Sequence, residues 1–280
     1  GNSGVVSFGH GAFAMIGAWV SGMSTASERV KGNALALEDL WQPLISWNLN
    51  LYVSIIFAML AGGLVAAISG AFLMRLNGLA AGIATFAILG LFYNFFFNNT
   101  KLGPGSQALP AVPKFSGVFE PLLLATIAMI LVYSLNVSSI GRKLRATRED
   151  LMSAPALGIS TQKVRWIAFT LSGALAGLSG GMYVHVAGTW QVQDYYLVFT
   201  FLTLAMLVIG GSASMWGAVV GTLVVTAVGQ VLLLWEQGKS LLGIKIDLPN
   251  GARSLIIAAT LVGMLLWRSS GLTNGREFKL

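Results

Sequence analysis

The chain has 280 residues, of which 55% are hydrophobic and 10% charged, whereas about 25% of an ordinary soluble domain is charged. Because these few charged residues cannot form the surface of a soluble fold of this size, the composition predicts a protein that lies in lipid. The chain has no cysteine, which excludes disulfides and thiolate chemistry, and its two histidines are too few for a metal centre. Its net charge of +7 does not indicate nucleic-acid binding, because the basic residues do not alternate with aromatics on one polar face.

Apolar stretches long enough to cross a bilayer as helices, about 18 to 25 residues each, recur along the chain. We expect an all-α, polytopic transmembrane bundle of about eight spans that forms a single domain over residues 1–280. Residue 1 is glycine and the first span begins almost at once, without the basic flank of a secretory signal, so we expect N-terminal sequence to be missing. The predicted spans are 5–24, 45–74, 78–97, 117–135, 164–186, 195–211, 216–235 and 252–267.

The charges divide unequally when the connecting segments are placed alternately on the two sides of the membrane. Ten positive and three negative residues fall on one side, and seven of each fall on the other. Since cytoplasmic segments carry the excess of lysine and arginine, the first side is predicted to be cytoplasmic. This division accounts for the whole net charge of the chain. The cytoplasmic cations are Arg75, Arg142, Lys143, Arg145, Arg148, Lys163, Arg165, Arg268, Arg276 and Lys279.

Glycines recur at four-residue spacing inside two of the predicted spans. Gly173, Gly177 and Gly181 form one set, and Gly217 and Gly221 form another. Small residues at this spacing let helix backbones approach closely in lipid, so we interpret them as helix-packing positions.

One long charged connection, residues 138–165, lies on the predicted cytoplasmic side between the fourth and fifth spans. Thr147 and Asp150 fit a capping box, and Glu149 adds a second acid at the helix start that this pattern predicts. Gly158 is the predicted end of that short helix. Such a short helix needs a partner, since isolated helices below about 12 residues are marginal in water. Its predicted apolar patch consists of Leu151, Met152 and Ala154.

This connection is similar to the coupling loop of bacterial ATP-binding-cassette permeases of the branched-chain amino acid type. Five further blocks resemble that family in order and spacing, so the resemblance extends over nearly the whole chain. Each block is rich in glycine, alanine and leucine, and the family match rests on their order around the charged loop. The blocks read SFGHGAFAMIGAW, MRLNGLAAGIATF, AFTLSGALAGLSGGMY, VIGGSASMWGAVVGT and WRSSGLTNGRE.

The resemblance implies a permease subunit of an ATP-driven importer in the bacterial cytoplasmic (inner) membrane. In such importers an external solute-binding protein delivers the solute, two permease subunits form the path, and two cytoplasmic ATPases drive transport. The resemblance therefore implies that the chain is not an enzyme and holds no cofactor. ATP and magnesium would be bound by the ATPase subunits. Its likeness is to the longer of two permease types, which pairs with a non-identical one. The expected solute is a branched-chain amino acid, with urea, amides or other small polar solutes as alternatives.

The resemblance also assigns residues of the 138–165 connection to ATPase coupling. Pro155 departs from the family pattern, which continues in helix here, because a proline inside a helix costs about 3 kcal/mol. The coupling helix is therefore expected to end near Ala154 or to split there. The predicted coupling residues are Glu149, Asp150, Leu151, Ala154, Leu157 and Gly158.

The predicted spans carry neutral polar side chains but no charge near a centre, which argues against a proton-coupled transporter. Such side chains suit a path for a neutral or zwitterionic solute, although they equally suit hydrogen bonds between helices. His185, near an external helix end, is expected to lie at the membrane interface. The candidates for the solute path are Ser7, His10, Thr85, Asn94 and Thr203.

Two other functions remain open at this stage. A stand-alone channel or secondary transporter for a small neutral solute would make the 138–165 connection a passive linker. An intramembrane enzyme would require histidines, carboxylates or a nucleophile grouped at membrane depth, and the sequence shows no such group. The Gly-Lys-Ser segment at 238–240 lacks the preceding glycine of a phosphate-binding loop, because Leu233 occupies that position.

Overall fold

The computed structural model describes residues 7–33, 37–150, 153–211, 214–239, 248–249, 251–267 and 271–273. In these ranges the chain is helical, and its one β-type pairing is an isolated antiparallel bridge between Leu109 and Trp190. Two short 3-10 helices, Ala154–Leu157 and Val192–Tyr195, accompany the α-helices. The α-helices are α1 (His10–Thr25), α2 (Glu28–Asn33), α3 (Gln42–Ile45), α4 (Leu51–Leu73), α5 (Gly78–Asn98), α6 (Phe119–Val137), α7 (Ser139–Glu149), α8 (Thr161–Ala187), α9 (Leu197–Gly210), α10 (Met215–Glu236) and α11 (Ala252–Trp267).

The structure confirms an all-α bundle with several membrane-spanning helices. Six segments of the described chain are long and apolar enough to cross a bilayer. The first and last predicted spans form helices of 16 residues each, α1 and α11. The six long segments are Leu51–Leu73, Gly78–Asn98, Phe119–Val137, Thr161–Ala187, Val192–Gly210 and Met215–Glu236.

The chain forms two compact units, residues 2–200 and residues 201–280. In the first unit, α1 is the central helix and is almost entirely enclosed by protein. Its neighbours include α4, α8 and α5. By contrast, α6 exposes apolar side chains nearly all round, as expected of a helix surrounded by lipid.

Glycines bring the backbones of α1, α4 and α8 into direct contact. A methyl group on Gly62 of α4 would lie 2.7 Å from the carbonyl oxygen of Gly173 in α8. A methyl group on Gly17 of α1 would overlap the carbonyl group of Gly177, and one on Gly180 would overlap that of Ala14. This confirms the packing role predicted for the glycines of α8, since close backbone approach is what holds helices together in lipid.

The helix ends of the first unit form two groups, one at each end of the bundle, as expected when successive spans run in opposite directions. At one end, the guanidinium of Arg165 at the start of α8 donates to the Asn77 side chain before α5, at 2.7 Å. Trp166 donates from Nε1 to the carbonyl of Ala67 near the end of α4, at 2.8 Å. We call this the inner end, because it holds the cationic connections that the sequence places in the cytoplasm.

At the opposite, outer end, three connecting segments pack over the helices. Trp19 of α1 donates to the carbonyl of Leu102 at 2.7 Å, which fixes the segment after α5. The Lys31 ammonium is fully buried and donates to the carbonyls of Leu44 and Trp47 at 2.9 and 2.6 Å. Burial lowers the pKa of Lys31, and the Glu28 carboxylate acts in the opposite direction.

In the second unit, α9, α10 and α11 pack around a small apolar core. Gly210 at the end of α9 is in backbone contact with Gly217 and Gly221 of α10, as the glycine spacing predicted. A short segment after α11 returns to this point, where the Leu272 amide donates to the carbonyl of Ile209 at 2.9 Å. The core consists of Ala205, Ile209 and Val225, with Leu202, Met206, Ile257, Leu261 and Met264 packed against it.

We predict that Gly17→Ala lowers the stability of the protein, because the new methyl group overlaps the Gly177 carbonyl and forces α1 and α8 apart. Overpacking of this kind costs about 1–3 kcal/mol. Gly90→Ala in α5 is the matched control, since no atom lies within 4 Å of the position its methyl group would take. Thermal unfolding of the purified protein in detergent measures both. Equal unfolding temperatures for the two variants would contradict the tight contact.

Candidate functional site

The connection between α6 and α8 begins with α7, which is fixed to the end of α6. Arg142 donates to the carbonyl of Val137 at 2.8 Å, and Arg145 donates to the backbone and side-chain oxygens of Asn136 at 3.0 and 2.7 Å. These contacts place positive charge on the last carbonyls of α6, where the helix dipole favours it. Gly141 packs directly on the Asn136 carbonyl, so α7 and the end of α6 form one rigid corner.

The capping box predicted at Thr147 is wrong. Thr147 is buried in the last turn of α7, and its hydroxyl donates to the carbonyl of Leu144 at 2.8 Å. Asp150 instead follows the end of α7, and its carboxylate accepts from the Ser153 amide at 3.0 Å. The threonine-to-acid spacing fitted a helix start, but the helical pattern begins earlier, at Ser139, where Ser138 provides the cap.

A separate 3-10 turn, Ala154–Leu157, follows α7. Pro155 lies in its first turn, where a proline needs no hydrogen-bond partner, and this resolves the departure from the helical pattern. Gly158 ends the turn with a φ of +73°, a backbone conformation that favours glycine, and so confirms the predicted stop. Its amide donates to the carbonyls of Ala154 and Pro155.

The connection presents a small exposed surface of mixed chemistry. Glu149 and Asp150 are exposed, and Leu157 is 76% exposed. Ala154 is buried and anchors the turn, while Gly158 is exposed. Leu151 lies outside the described residues, as does Met152. We call the exposed acids and Leu157 the inner-end surface. An exposed leucine and two exposed carboxylates on one short connection are side chains that a protein partner could contact.

Three of the predicted path residues meet at the start of α1. The Phe8 amide donates to Thr85 Oγ1 at 3.1 Å, and Ser7 Oγ accepts from the Gly9 amide at 3.3 Å. His10 Nε2 lies 2.7 Å from the hydroxyl of Ser172 in α8. Ser7, His10 and Thr85 are thereby held close to the contact of α1 with α5 and α8.

The other two predicted path residues lie elsewhere. Asn94 is on an exposed face of α5, nine residues or about 13 Å along the helix from Thr85, and its amide donates to the Gly90 carbonyl at 2.9 Å. Thr203 is exposed and belongs to the second unit. The structure therefore groups three of the five candidates and leaves two on outward faces.

A buried polar cluster at the outer end was not predicted. Ser21 of α1, Ser54 of α4 and His185 of α8 are all fully buried, and Ser21 Oγ lies 2.7 Å from Ser54 Oγ and 2.8 Å from His185 Nε2. His185 lies in the last turn of α8, near the outer helix end where the sequence placed it, but its burial among three helices was not predicted. Serines are common in apolar spans, and no sequence pattern marks two of them as partners of a histidine more than 100 residues away.

The geometry assigns the proton positions in this cluster. His185 Nδ1 lies 2.6 Å from the carbonyl oxygen of Pro113, and since a carbonyl only accepts, Nδ1 carries the proton. In neutral imidazole Nε2 then accepts, so the Ser21 hydroxyl donates to it. The cluster thus joins three helices to the 109–116 segment with each ring nitrogen satisfied.

A family model described as the branched-chain amino acid transport system / permease component matches residues 1–265. The high-affinity branched-chain amino acid transport system permease protein LivM of Escherichia coli K12 is 23% identical, over 97% of this chain and 64% of the relative. LivM of Salmonella typhimurium gives the same identity and coverage. The autoinducer 2 import system permease protein LsrC of Enterobacter sp. strain 638 is 26% identical over 78% of this chain and 63% of the relative.

The chain thus spans slightly less than two thirds of the length of the curated relatives it matches. No solved structure matches it.

We predict that Ser21→Ala destabilises the protein by about 1–3 kcal/mol, because it removes the hydroxyl nearest to the buried His185 Nε2. The Ser54 hydroxyl lies 3.4 Å from Nε2 but donates to the Leu51 carbonyl at 2.6 Å. Ser69→Ala in α4 is the control, since that hydroxyl bonds only to carbonyls of its own helix and its loss should change stability by about 0.5 kcal/mol or less. Thermal unfolding in detergent compares the two. If Ser21→Ala unfolds at the same temperature as Ser69→Ala, the cluster does not hold the three helices together.

Proposed function

Because the chain belongs to the family of permease components of branched-chain amino acid transport systems, we propose that it is a membrane-spanning permease subunit of an ATP-driven importer. It passes a small polar solute from an external binding protein to the cytoplasm. The LivM relatives, named for branched-chain amino acids, favour such an amino acid as the solute. The LsrC relatives, named for autoinducer 2, provide the second candidate.

The proposed assembly has the subunits that the family resemblance implies. One of two cytoplasmic ATPase subunits binds its inner-end surface, and the two ATPases hold the ATP and magnesium, so this chain conducts the solute and hydrolyses nothing. A second, non-identical permease subunit completes the path, and an external binding protein delivers the solute. The assembly lies in the bacterial cytoplasmic membrane, in keeping with the six span-length helices and the bacterial relatives.

The observation that carries this proposal is the inner-end surface itself. Glu149 and Asp150 stand at the end of α7, which Arg142 and Arg145 fix to α6 by donating hydrogen bonds to it. Leu157 is exposed in the 3-10 turn that follows. A linker without a partner has no need of this rigidity, nor of a leucine in water. The surface has both features of an interface anchor, an exposed apolar side chain and charges at its rim.

Only a short segment separates the inner-end surface from α8, so a displacement of this surface can be transmitted to that helix. The 3-10 turn ends at Leu157, and α8 begins at Thr161. Along α8, Gly173, Gly177 and Gly180 contact the backbones of α4 and α1. Movement of the turn therefore displaces α8 together with the helices packed on it, as a rigid body. Nucleotide binding shifts the equilibrium between two arrangements of the spans, because the ATPases bind one arrangement more tightly than the other.

The candidates for the solute path differ in their support. Ser7, His10 and Thr85 are supported by their meeting at the start of α1. Asn94 and Thr203 are exposed in the single chain, so their part in a path depends on a second permease subunit that covers them.

We predict that Glu149→Lys combined with Asp150→Asn reduces uptake by the reconstituted complex at least about tenfold, since reversing one exposed charge and removing its neighbour costs more than about 1.4 kcal/mol of coupling. Asparagine keeps the side-chain acceptor for the Ser153 amide, while its Nδ2 replaces the oxygen that accepts from the Ser153 hydroxyl. Uptake into vesicles and ATP hydrolysis are measured together, with Glu38→Lys, an exposed acid of the outer end, as the control.

Membrane insertion should be unchanged in both variants, while ATP hydrolysis should no longer respond to the binding protein in the inner-end variant. Wild-type uptake in that variant would remove the coupling role of these acids. Uptake by this chain alone, without ATPase subunits, would favour a stand-alone transporter and contradict the proposed function.

A further inference from the structure

The connection between α8 and α9, residues 188–196, re-enters the bundle instead of crossing over its outer end. The Cβ atom of Trp190 lies 3.5 Å from the position that a methyl group on Gly22 would take, near the outer end of α1. The carbonyl oxygen of Tyr195 lies 2.8 Å from the corresponding position on Gly11, in the first turn of α1. Since eleven residues of helix separate these two glycines, the connection descends about 16 Å along α1. We call residues 188–196 the re-entrant segment.

The re-entrant segment packs against α5 as well as α1. The rings of Trp190 and Phe96 have their centroids 5.8 Å apart, and the ring of Tyr196 stacks on that of Tyr93 at 3.9 Å. The 3-10 helix of the segment, Val192–Tyr195, contacts both helices. Its side chains therefore fill the space between the outer halves of α1 and α5. The members that are at most 1% exposed are Trp190, Val192 and Tyr195.

The lower end of the re-entrant segment reaches the candidates for the solute path. Tyr195 contacts Gly11, the residue after His10, while the Phe8 amide joins the start of α1 directly to Thr85 of α5. The segment thus lies between the outer end of the bundle and the place where Ser7, His10 and Thr85 meet. Non-helical backbone at membrane depth occurs only where it is buried in protein or lines a cavity. A solute that moves inward between α1 and α5 meets this segment first.

Backbone and side-chain hydrogen bonds hold the re-entrant segment to the connection between α5 and α6. The Leu109 amide donates to the Trp190 carbonyl at 2.8 Å, and the Trp190 amide donates to the Leu109 carbonyl at 3.1 Å. Farther along, Gln193 Nε2 donates to the carbonyl of Ser106 at 3.0 Å. These bonds fix the segment in the position where it covers the path candidates.

The partner connection is itself fixed to the packed helices at both of its ends. Trp19 of α1 donates to the carbonyl of Leu102 at 2.7 Å, and His185 of α8 donates from Nδ1 to the carbonyl of Pro113 at 2.6 Å. Residues 102–113 are therefore a static support. The re-entrant segment can leave α1 and α5 only by breaking its hydrogen bonds to this support.

Three buried polar atoms of the re-entrant segment lack a hydrogen-bond partner in the described part of the chain. They are Trp190 Nε1, Gln193 Oε1 and Tyr195 OH. Burying a polar group without a partner costs free energy. If the segment moves outward, water reaches these atoms, and the regained hydrogen bonds offset part of the apolar contact that is lost. The two positions of the segment therefore differ less in free energy, as an element that switches between two states requires.

We propose that the re-entrant segment is the outer gate of the solute path and that it is closed in this structure. It opens by moving away from α1 and α5 while residues 102–113 stay in place. Opening exposes the path candidates at the start of α1 to the external side, where the binding protein delivers the solute. This role in an import cycle rests on the proposed function.

A disulfide between the re-entrant segment and its support tests the gate. Leu109→Cys combined with Trp190→Cys places two thiols on an opposed, hydrogen-bonded pair, whose Cα atoms are about 5.5 Å apart and within the range that a disulfide spans. Uptake of L-leucine by the reconstituted complex is compared before and after oxidation of the same variant. Oxidation should lower uptake about tenfold or more, because a locked gate stops every cycle. Reduction with dithiothreitol should restore it.

Gly63→Cys combined with Ala174→Cys is the matched control. A Cβ atom on Gly63 would lie 3.1 Å from that of Ala174, so the pair can link α4 to α8. These two helices move together in the proposed coupling, and their oxidation should leave uptake unchanged. Equal uptake by the oxidised and reduced forms of the Leu109–Trp190 pair would overturn the gate.

Thiol labelling tests the same motion with Trp190 intact. Val192→Cys and Val184→Cys are identical changes at positions with no exposure, the first in the re-entrant segment and the second in α8. With ATP and the binding protein present, an impermeant maleimide on the external side should label Val192→Cys several-fold faster than without them. Val184→Cys should stay unlabelled in both conditions. A Val192→Cys variant that is never labelled, or is labelled equally in both conditions, would show that no gate opens here.

The outcomes separate the gate from the proposed function. If the wild-type complex imports L-leucine and oxidation of the Leu109–Trp190 pair has no effect, the gate is wrong and the importer stands. If the wild-type complex imports no L-leucine, the proposed solute is wrong, and the labelling of Val192→Cys still decides whether the segment opens. If the chain transports L-leucine without ATPase subunits, the proposed function is wrong, and the comparison of oxidised with reduced protein still tests the gate.

Discussion

The backbone contact of α1 with α4 and α8 is the constraint on which the rest of the first unit depends. In lipid, apolar side chains gain little by leaving their surroundings, so helices are held by close packing and by hydrogen bonds. Glycines at 17, 62 and 177 remove the side chains that would keep the backbones apart. The same approach brings Ser21, Ser54 and His185 within hydrogen-bonding distance, so packing and polar contacts reinforce each other.

In the proposed coupling, this contact lets α8 transmit a push on the inner-end surface. A turn attached to a loosely packed helix would absorb a push by bending, whereas α8 is locked to two neighbours along much of its length. Because α7 is fixed to α6 by Arg142 and Arg145, the surface is supported from both sides. Rigid elements joined at a small exposed corner are what a two-state mechanical coupling requires.

Much of the fold could be predicted from composition and spacing, because membrane crossing depends mainly on length and apolarity. Gly158 could be predicted as a stop because a left-handed residue there favours glycine. The capping box at Thr147 was wrong because three-residue spacing recurs throughout a helix, including its last turn. The partners of His185 could not be predicted, because burial depends on which neighbours a side chain meets in the folded chain.

The proposed coupling requires that an ATPase subunit binds the inner-end surface. These 280 residues contain no cysteine, so a single introduced cysteine is the one thiol among them. Leu157→Cys, at a position 76% exposed, should cross-link to an ATPase subunit in the purified complex and react with impermeant thiol reagents only from the cytoplasm. Val198→Cys, equally exposed at the predicted outer end, should do neither. Labelling of Leu157→Cys from outside the cell, or its failure to cross-link when the ATPase is bound, would contradict the account.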